Sequence, residues 1–434
     1  MIPSVIARQI RRGVEDFLLT TFPITNPFFA GTLEKLLTEP GMLFRGPYLS
    51  VKLPFVPADD GPRPFPEVLP ASFPPYRHQQ QAWERLDTRL GRSTIVATGT
   101  GSGKTECFLY PVLDHCYRQR GRRGIKAILI YPMNALATDQ AQRLAKMIWR
   151  NPELRGFVTA GLLIGGLERE ASPVMTEDDL ITDKQMLRDA PPDILITNYK
   201  MLDYLLVRPR DARLWRRNEP DTLRYLVVDE LHAFDGAQGA DLACLVRRIK
   251  ERVKTPENHL CCVGTSATLG EGSQADLVAY AREVFGEPFD GDSVIGESLL
   301  TTDEFLKGCL VTRFQTPGTG DLGTMDPLAH ESAEDYVRAQ STLWMGADLS
   351  QDPVALAEAL KHHAFFRNLL TILGNRAVAA GDLAAELKKQ LPGFGGLEDA
   401  YLDRLLVVFW RSCRGRESWD PSSKGSRNTI RWCR

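Results

Sequence analysis

Short apolar runs alternate with amphipathic stretches through the middle of the chain. Most of the runs are continuous, as expected for parallel β-strands buried on both faces. The predicted strands are Thr94–Ala97, Ala127–Tyr131, Gly161–Ile164, Ile194–Thr197, Tyr225–Asp229 and Leu260–Thr265. The segments between them repeat apolar residues at helical spacing. This alternation predicts an α/β fold with an open parallel sheet, in which ligands bind at the carboxyl ends of the strands.

The pattern changes on both sides of this region. Residues 1–45 are predicted to be mainly helical, and eight prolines from Pro54 to Pro75 indicate a linker that lies over a surface rather than regular structure. After residue 299 the strand signal fades, and apolar stripes predict a helical or winged-helix-like module. The Ser- and Arg-rich end has no periodicity and is expected to be disordered. The predicted parts are a helical accessory region with its linker (1–70), an α/β domain (71–298), a helical module (299–412) and a tail (413–434).

The bulk properties are those of an ordinary globular chain. Of the 434 residues, 43% are hydrophobic and 25% are charged, and the formal net charge of −2 provides no global basic field for nucleic acid. Any such binding must use local basic clusters, the largest of which lie in residues 118–126, 208–217 and 247–254. No apolar run reaches the roughly 18 residues of a membrane span, and the pattern of residues 1–17 does not predict a signal peptide. With eight cysteines that lack CxxC spacing, the sequence predicts a cytoplasmic protein.

The run ATGTGSGKT at residues 97–105 follows the first predicted strand and precedes an amphipathic helix. A strand, a glycine-rich loop and a helix in this order form a P-loop, whose backbone N–H groups hold a phosphate chain. Lys104 would reach the β- and γ-phosphates, and the hydroxyl of Thr105 would bind Mg²⁺. Thr98 stands where the general pattern has glycine. The predicted ATP-binding residues of this loop are Thr98, Gly99, Thr100, Gly101, Ser102, Gly103, Lys104 and Thr105.

Two adjacent carboxylates end a second apolar strand, in the run LRYLVVDELH at residues 223–232. Successive side chains at a strand end diverge, so the two acids can take different roles. We expect Asp229 to hold Mg²⁺ and Glu230 to orient and deprotonate the water that attacks the γ-phosphate. Taken alone, the pair is equally typical of a solvated strand end.

Two further segments fit an ATP site. Ser266 and Thr268 follow another strand and are expected to couple the acidic loop to the γ-phosphate, although Ser-Ala-Thr alone is also a common turn sequence. Upstream, the amide of Gln79 is suited to read the adenine edge, because it donates one hydrogen bond and accepts another. Tyr76 or Phe73 would stack on the base. A glutamine-rich helix start explains the Gln79 segment equally well.

Two more strand ends carry small polar side chains, in the runs YPMNALATDQ (131–140) and TNYKML (197–202). Such groups suit phosphodiester contacts that carry no sequence information. The nucleic-acid-binding residues predicted from them are Pro132, Asn134, Thr197 and Asn198. Without the ATP motifs, both loops would be ordinary helix caps.

Together, these motifs resemble those of superfamily-2 helicases of the DEAD/DEAH-box (DExH) type, over residues 73–270. Gln79 matches the adenine-reading glutamine, and residues 101–105 match motif I. Residues 131–140 and 197–199 look like motifs Ia and Ib, 229–232 form a DExH motif II, and 266–268 match motif III. Motif Ia departs from the PTRELA form of RNA-unwinding proteins and looks closer to that of large bacterial DNA helicases with a C-terminal cysteine cluster.

The resemblance implies a RecA-like P-loop NTPase lobe that binds ATP and Mg²⁺ and drives translocation on nucleic acid, with DNA favoured. The catalytic residues it implies are Lys104, Asp229, Glu230 and His232. A different P-loop ATPase, such as a kinase or transporter subunit, would not explain the DExH, Ser-Ala-Thr and upstream glutamine motifs together.

Helicases that these motifs resemble have a second RecA-like lobe, whose QRxGRxGR motif supplies arginines to the ATP site. The nearest segment here, residues 410–416, lacks the glutamine and the glycine spacing, and the cysteine cluster is missing. We therefore expect half of a helicase, with weak activity in isolation, since an arginine finger typically accelerates hydrolysis ~10³–10⁵-fold. The alternative is a non-hydrolysing ATP- and DNA-binding subunit or truncated fragment within a phage-defence or repair assembly, with a partner that provides the second lobe in trans.

Overall fold

The computed structural model describes residues 3–39, 41–44, 48–61, 64–70, 72–99, 101–166, 171–267, 274–314, 316–326, 329–390, 402, 406 and 431–432. The chain divides into two units. Phe55–Ser298 form one unit, and Met1–Pro54 together with Leu299–Arg434 form the other. The division differs from the predicted one, because the first boundary lies near residue 54 rather than 70 and the two ends of the chain share a unit.

Among its described residues, the N-terminal part of the two-ended unit contains two α-helices and two very short strands. They are α1 (Pro3–Thr21), α2 (Thr32–Thr38), β1 (Tyr48–Leu49) and β2 (Val51–Lys52).

The unit Phe55–Ser298 alternates helices with strands. Its helices are α3 (Arg77–Leu86), α4 (Lys104–Arg118), α5 (Asn134–Arg150), α6 (Lys184–Asp189), α7 (Tyr199–Val207), α8 (Gly236–Val253) and α9 (Gln274–Phe285). Its strands are β3 (Thr94–Ala97), β4 (Ala127–Ile130), β5 (Ala160–Leu163), β6 (Ile194–Thr197), β7 (Tyr225–Val228), β8 (Cys261–Ser266) and β9 (Val294–Gly296). Within the described residues these strands form one parallel sheet in the order β5-β6-β4-β7-β8-β3-β9. The predicted α/β fold with a RecA-like lobe is confirmed.

Both faces of this sheet are buried, which explains the continuous apolar runs in the sequence. Along β4, Ala127 and Leu129 belong to the core on one face, whereas Ile128 and Ile130 belong to the core on the other. The six predicted strands are all present, within one residue of their predicted bounds. The sequence did not predict β9, a three-residue strand that pairs with β3 at the edge of the sheet.

The proline-rich segment packs onto the α/β unit, and from Phe55 onward it belongs to that unit. Phe65, Val68 and Leu69 are buried in one of the two cores of the sheet. The Val56 N–H donates to the carbonyl of Ser298 at 2.8 Å, within the same unit. Proline limits regular secondary structure but does not prevent neighbouring apolar side chains from being buried. The composition of this segment therefore placed the boundary too late in the chain.

The C-terminal part of the two-ended unit is mainly helical, as predicted. It contains α10 (Thr302–Phe305), α11 (Leu322–Met325), α12 (Ala333–Met345), α13 (Pro353–Lys361), α14 (Ala364–Leu373), α15 (Ala380–Gln390), β10 (Val378–Ala379) and β11 (Arg431–Trp432). Strand β1 pairs with β10 and β2 pairs with β11, both antiparallel. Leu49 and Val51 share a core with the apolar faces of α14 and α15, which explains why the two chain ends form one unit. The rest of the predicted tail lies outside the described residues.

None of the helices in the described ranges is both long enough and apolar enough to cross a lipid bilayer.

Candidate functional site at the carboxyl edge of the sheet

The strands of the large sheet are parallel, so the loops that follow them lie along one edge. The strand order sorts these loops into two neighbouring sets. The first set follows β7, β8 and β3 and contains the acidic pair, the hydroxyl segment and the glycine-rich loop. The second set follows β5, β6 and β4 and contains the segments predicted to contact nucleic acid. The two sets meet where β4 pairs with β7.

The glycine-rich loop joins β3 to α4, which begins at Lys104. Gly101 and Gly103 have φ angles of +76° and +78°, a left-handed conformation that favours glycine. A Cβ on Gly103 would also lie 2.2 Å from Nε2 of Gln79. Glycine at 103 therefore serves both the turn of the backbone and the close approach of Gln79.

The first half of the loop is held by the buried hydroxyl of Ser102. Its Oγ lies 2.8 Å from Oγ1 of Thr98 and 2.8 Å from the carbonyl oxygen of Gly99. Thr98 is buried and is thus an internal partner of the loop, which accounts for its place in the pattern. The N–H of Gly99 donates to the carboxylate of Glu297, which follows the unpredicted strand β9. Thr100 lies outside the described residues.

Gln79 lies against the second half of the loop, where the sequence placed it. Its Nε2 donates to the carbonyl of Gly103 at 3.2 Å, and its Oε1 accepts from the N–H of Tyr76 at 3.0 Å. Because an amide has two donors and two acceptor sites, each end can still make one more hydrogen bond. The side chain is 1% exposed, so an adenine would have to approach along the loop. Both predicted stacking rings already have aromatic neighbours: Phe73 packs against Tyr110, and Tyr76 packs against Phe55 and stacks on His78.

Lys104 and the acidic pair face each other across the first set of loops. Nζ of Lys104 lies 3.5 Å from Oε1 of Glu230. The two side chains are 13% and 30% exposed, so the ion pair is screened from much of the solvent. An ammonium in this position can exchange a carboxylate for the oxygens of a phosphate.

A threonine that the sequence analysis missed holds the acidic pair. The hydroxyl of Thr265 donates to Oδ1 of Asp229 and accepts from the N–H of Glu230 at 3.1 Å. Burial raises the pKa of Asp229, and the hydrogen bond from Thr265 opposes this effect. A buried carboxylate whose ionised form is disfavoured is stabilised by a divalent cation, and the carboxylate of Asp229 and the hydroxyl of Thr105 are hard oxygen ligands that suit Mg²⁺.

Glu230 connects the lysine to the other motifs through an unusual backbone conformation. Its φ angle is +50°, which is strained for a residue with a side chain. While Oε1 faces Lys104, Oε2 lies 3.4 Å from Nδ1 of His232. The same nitrogen lies 3.2 Å from the hydroxyl of Ser266, which is buried at the end of β8. The predicted partner Thr268 lies outside the described residues.

Hydrogen bonds between side chains and backbone tie the second set of loops together. Nδ2 of Asn134 donates to the carbonyl of Gly165 at 2.8 Å, and Nδ2 of Asn198 donates to Oδ1 of Asn134 at 2.6 Å. Oδ1 of Asn198 also accepts from the N–H of Met201 at 2.7 Å and caps the start of α7. The loops after β4, β5 and β6 therefore form one connected polar surface.

Two other predicted nucleic-acid contacts differ in their accessibility. Pro132 is partly exposed. Thr197 is buried, and its hydroxyl donates to the carbonyl of Leu163 at 2.6 Å. This side chain faces the neighbouring strand, so the predicted direct contact does not fit the structure. Thr197 instead holds the end of β6 against β5.

One ion pair joins the two sets of loops. The carboxylate of Glu106, in the first turn of α4, pairs with the guanidinium of Arg143 on α5. The carbonyl of Glu106 also accepts from Nε1 of Trp83 on α3 at 3.0 Å. Beyond this turn α4 continues through the buried Pro111 to Arg118. The helix that starts at the glycine-rich loop is thereby tied to the helix that starts at Asn134.

The α/β unit is similar to known helicases. Residues 76–277 match the DEAD/DEAH box helicase family. The chain is similar to Druantia protein DruE of Escherichia coli (strain UMEA 4076-1), with 26% identity over 49% of this chain and 17% of DruE. It is also similar to ATP-dependent helicase Lhr-Core of Sulfolobus acidocaldarius, with 30% identity over 42% of this chain and 19% of the relative. The matched part thus spans about a fifth of the length of these curated relatives.

Among solved structures, the chain is similar to the crystal structure of the DUF1998 helicase MrfA bound to DNA. The two share 25% identity over 56% of this chain and 32% of that chain, with a TM-score of 0.41.

Proposed function

Because residues 76–277 are a DEAD/DEAH box helicase domain of superfamily 2, we propose that this protein couples ATP hydrolysis to movement along nucleic acid, with DNA as its substrate. The observation that carries the proposal is the 3.5 Å contact between Lys104 and Glu230 beside the partly buried carboxylate of Asp229. A lysine at the start of a helix and two acids at a nearby strand end are the groups that phosphoryl transfer requires. The form of segments 131–140 and 197–199, closer to large bacterial DNA helicases, supports DNA.

Nucleotide binding begins with an exchange of partners at Lys104. The incoming β- and γ-phosphates compete with Glu230 for the ammonium group, because their negative charges repel the carboxylate. Once released, the Glu230 carboxylate orients a water molecule and accepts its proton. Glu230 also contacts His232, which in turn contacts Ser266. Movement of the Glu230 carboxylate away from Lys104 would therefore be transmitted to the end of β8.

Asp229 and Thr105 would hold Mg²⁺ at this site. When bound, the ion neutralises charge on the phosphates and positions them for attack. Thr265 fixes Oδ1 of Asp229 and the backbone of Glu230 at the same time. The two acids are therefore positioned by one hydroxyl, before any ligand enters.

The surface formed by Asn134 and Asn198 binds the phosphodiester backbone. These side chains lie at the starts of α5 and α7, where helix dipoles favour an anion. The ion pair between Glu106 and Arg143 links this surface to the first turn of α4. A displacement of α4 on nucleotide binding would reach the nucleic acid through this pair.

A second RecA-like lobe, in the same or another polypeptide, completes the ATP site in this proposal. Among the described residues, Glu230 has Lys104 and His232 as ion-pair partners, and no arginine contacts the acidic pair. This observation also favours the alternative function, in which the protein is an ATP- and DNA-binding subunit of a phage-defence or repair assembly and hydrolyses little ATP itself.

Equilibrium binding to the full chain tests the proposal. Fluorescence anisotropy would follow a labelled, slowly hydrolysed ATP analogue with Mg²⁺, and labelled single strands of DNA and RNA of the same sequence. We expect Lys104→Ala to weaken nucleotide binding at least about tenfold, the effect of losing a charge-assisted contact, and the matched surface variant Lys307→Ala to have no effect. Equal nucleotide affinity in wild type and Lys104→Ala would refute the ATP site. Tighter binding of RNA than of DNA would refute the proposal that DNA is the substrate.

Turnover by the full chain separates the two functions. Rapid DNA-stimulated hydrolysis without any other protein would show that the site is complete and would overturn the proposal of a second lobe. Binding of ATP and DNA with little turnover would support it.

A further inference from the structure

A cavity lies at the opposite, amino-terminal edge of the sheet, within the unit Phe55–Ser298. Its volume is about 300 Å³. Lys126, Arg224 and His259 line it from the segments that precede β4, β7 and β8. His115 and Gln119 line it from the end of α4. No residue of the proposed ATP site contributes to it.

The lining is rich in cations. Lys126 pairs with Asp193, and Arg122 pairs with Asp221 and Glu219. These last two carboxylates are mostly exposed, and ion pairs of that kind contribute little and exchange easily for another anion.

Arg224 differs from the other two cations. It has no carboxylate partner among the described residues, and its Nη1 donates to the backbone carbonyl of His259. Gly91 makes room for its guanidinium: a Cβ there would lie 1.7 Å from Nη2 of Arg224, and the φ angle of Gly91 is +53°. A half-buried charge without a direct ion-pair partner is costly, so the space around the guanidinium favours an anion, although the lining also includes Asp221.

His115 gives the second indication. The residue is 5% exposed, and its buried Nδ1 has no hydrogen-bond partner in the part of the chain that the structure describes. Burial, followed by the charges of Arg224, Lys126, His259 and Arg122, lowers the pKa of His115 to about 3. The ring is therefore neutral in the free protein, and a neutral imidazole carries one N–H donor.

We propose that this cavity binds the phosphate group of a small molecule, either inorganic phosphate or pyrophosphate, or the phosphate of a phosphomonoester. The guanidinium of Arg224, the cations Arg122 and Lys126, and the imidazole of His115 supply donors from several directions, which suits a multiply charged oxyanion. The volume is at the lower end of that of small-molecule sites, which excludes a large ligand. The site is independent of the proposed function, because its residues lie at the other edge of the sheet.

Binding measured in a Lys104→Ala background separates this cavity from the ATP site. Equilibrium dialysis of the full chain with labelled inorganic phosphate, pyrophosphate or AMP should reveal one retained site. Arg224→Gln in the same background should weaken binding at least about tenfold, whereas Arg252→Gln, which removes an exposed arginine on α8, should not. The tightest of the three probes identifies the ligand class. Absence of binding with every probe, or equal binding by the Arg224→Gln variant, would overturn the proposal.

A spectroscopic measurement covers the case in which Arg224→Gln does not fold. The pKa of the His115 ring can be followed by NMR in the intact Lys104→Ala chain, with His115→Gln to assign the signal. Saturating the tightest-binding probe should raise this pKa, because the added negative charge offsets the surrounding cations. An unchanged His115 titration at saturation would overturn the proposal.

Discussion

Lys104 and Glu230 are ion-pair partners across the carboxyl edge of the sheet, with 3.5 Å between Nζ and Oε1. The contact joins the first residue of α4 to the residue that follows Asp229 at the end of β7. A nucleotide therefore competes with Glu230 for the lysine, and the acid becomes available as the phosphates bind.

Glu230→Gln should separate nucleotide binding from hydrolysis. Loss of a general base typically slows the reaction ~10²–10⁴-fold, whereas the affinity for Mg·ATP should rise because Lys104 no longer has to leave a carboxylate. Single-turnover hydrolysis with DNA present and calorimetric titration measure the two effects. Glu251→Gln, an exposed position on α8, is the control. A fall in affinity would mean that Glu230 helps to hold the nucleotide.

Asp229→Asn should stabilise the free protein near neutral pH. The pKa of Asp229 is raised above 3.8 in the folded chain, chiefly by burial, so ionisation of this acid destabilises the fold. The destabilisation is absent below the unfolded-state pKa and grows as the pH rises through the folded-state pKa. Urea denaturation should therefore show a higher free energy of unfolding for Asp229→Asn than for the wild type at pH 7. This difference should shrink towards pH 4. The surface variant Asp241→Asn should show no such gain, and a loss at pH 7 for Asp229→Asn would refute this account.

Thr265→Val should destabilise the protein by about 1–3 kcal/mol, because it removes the hydroxyl that bonds to both acids while it keeps the shape of the side chain. The loss of the hydrogen bond should also raise the pKa of Asp229 further. Thr265→Ser retains the hydroxyl and should keep most of the free energy of unfolding. If the valine and serine variants are equally stable in urea, the hydroxyl does not hold the pair.

Asn198 combines two roles that substitutions can separate. Asn198→Ala removes the cap of α7 and should cost about 1 kcal/mol of stability, whereas Asn198→Ser should restore most of the cap. Neither side chain can donate to Asn134 as the amide does, so both variants should bind single-stranded DNA more weakly. Anisotropy and urea denaturation together test this. If Asn198→Ser restores DNA affinity as well as stability, the contact with Asn134 has no part in DNA binding.

The ion pair between Glu106 and Arg143 should carry coupling between ATP and DNA. If DNA raises the affinity for ATP, each of Glu106→Gln and Arg143→Gln should reduce that effect, and the double variant should reduce it no further. Titration of the ATP analogue with and without saturating DNA gives the coupling for all four proteins. Additive losses in the double variant would show that the two residues act independently.

The sequence predicted the central fold well because its strands are buried on both faces. Continuous apolar runs such as Ile194–Thr197 are unambiguous when each is followed by a turn and a helical stripe. The glycine-rich loop and the acidic pair could be located for a similar reason, since each directly follows such a strand. The spacing of Lys104 and Glu230 along the chain does not reveal their contact, but the order of strands in a RecA-like sheet does.

Other features depend on contacts that a linear pattern does not show. Thr265 resembles its hydroxyl neighbours in the sequence, and only its position beside β7 selects it. Strand β9 is too short to show a period. The contact of Glu297, which follows this strand, with the glycine-rich loop was therefore not predicted either. The burial of Phe65 in the proline-rich segment could not be predicted, because it depends on a surface formed elsewhere in the chain. The basic cavity is assembled from segments before three separate strands.

At Glu230, stability and catalysis favour different residues, because the backbone there is left-handed. Glycine adopts that conformation without strain, so a laboratory selection for heat resistance alone would favour Glu230→Gly. Such a variant would be more stable to heat but would lose the general base. If a carboxylate is retained at this position during prolonged mutagenesis, then ATP hydrolysis, rather than thermal stability, is the property under selection.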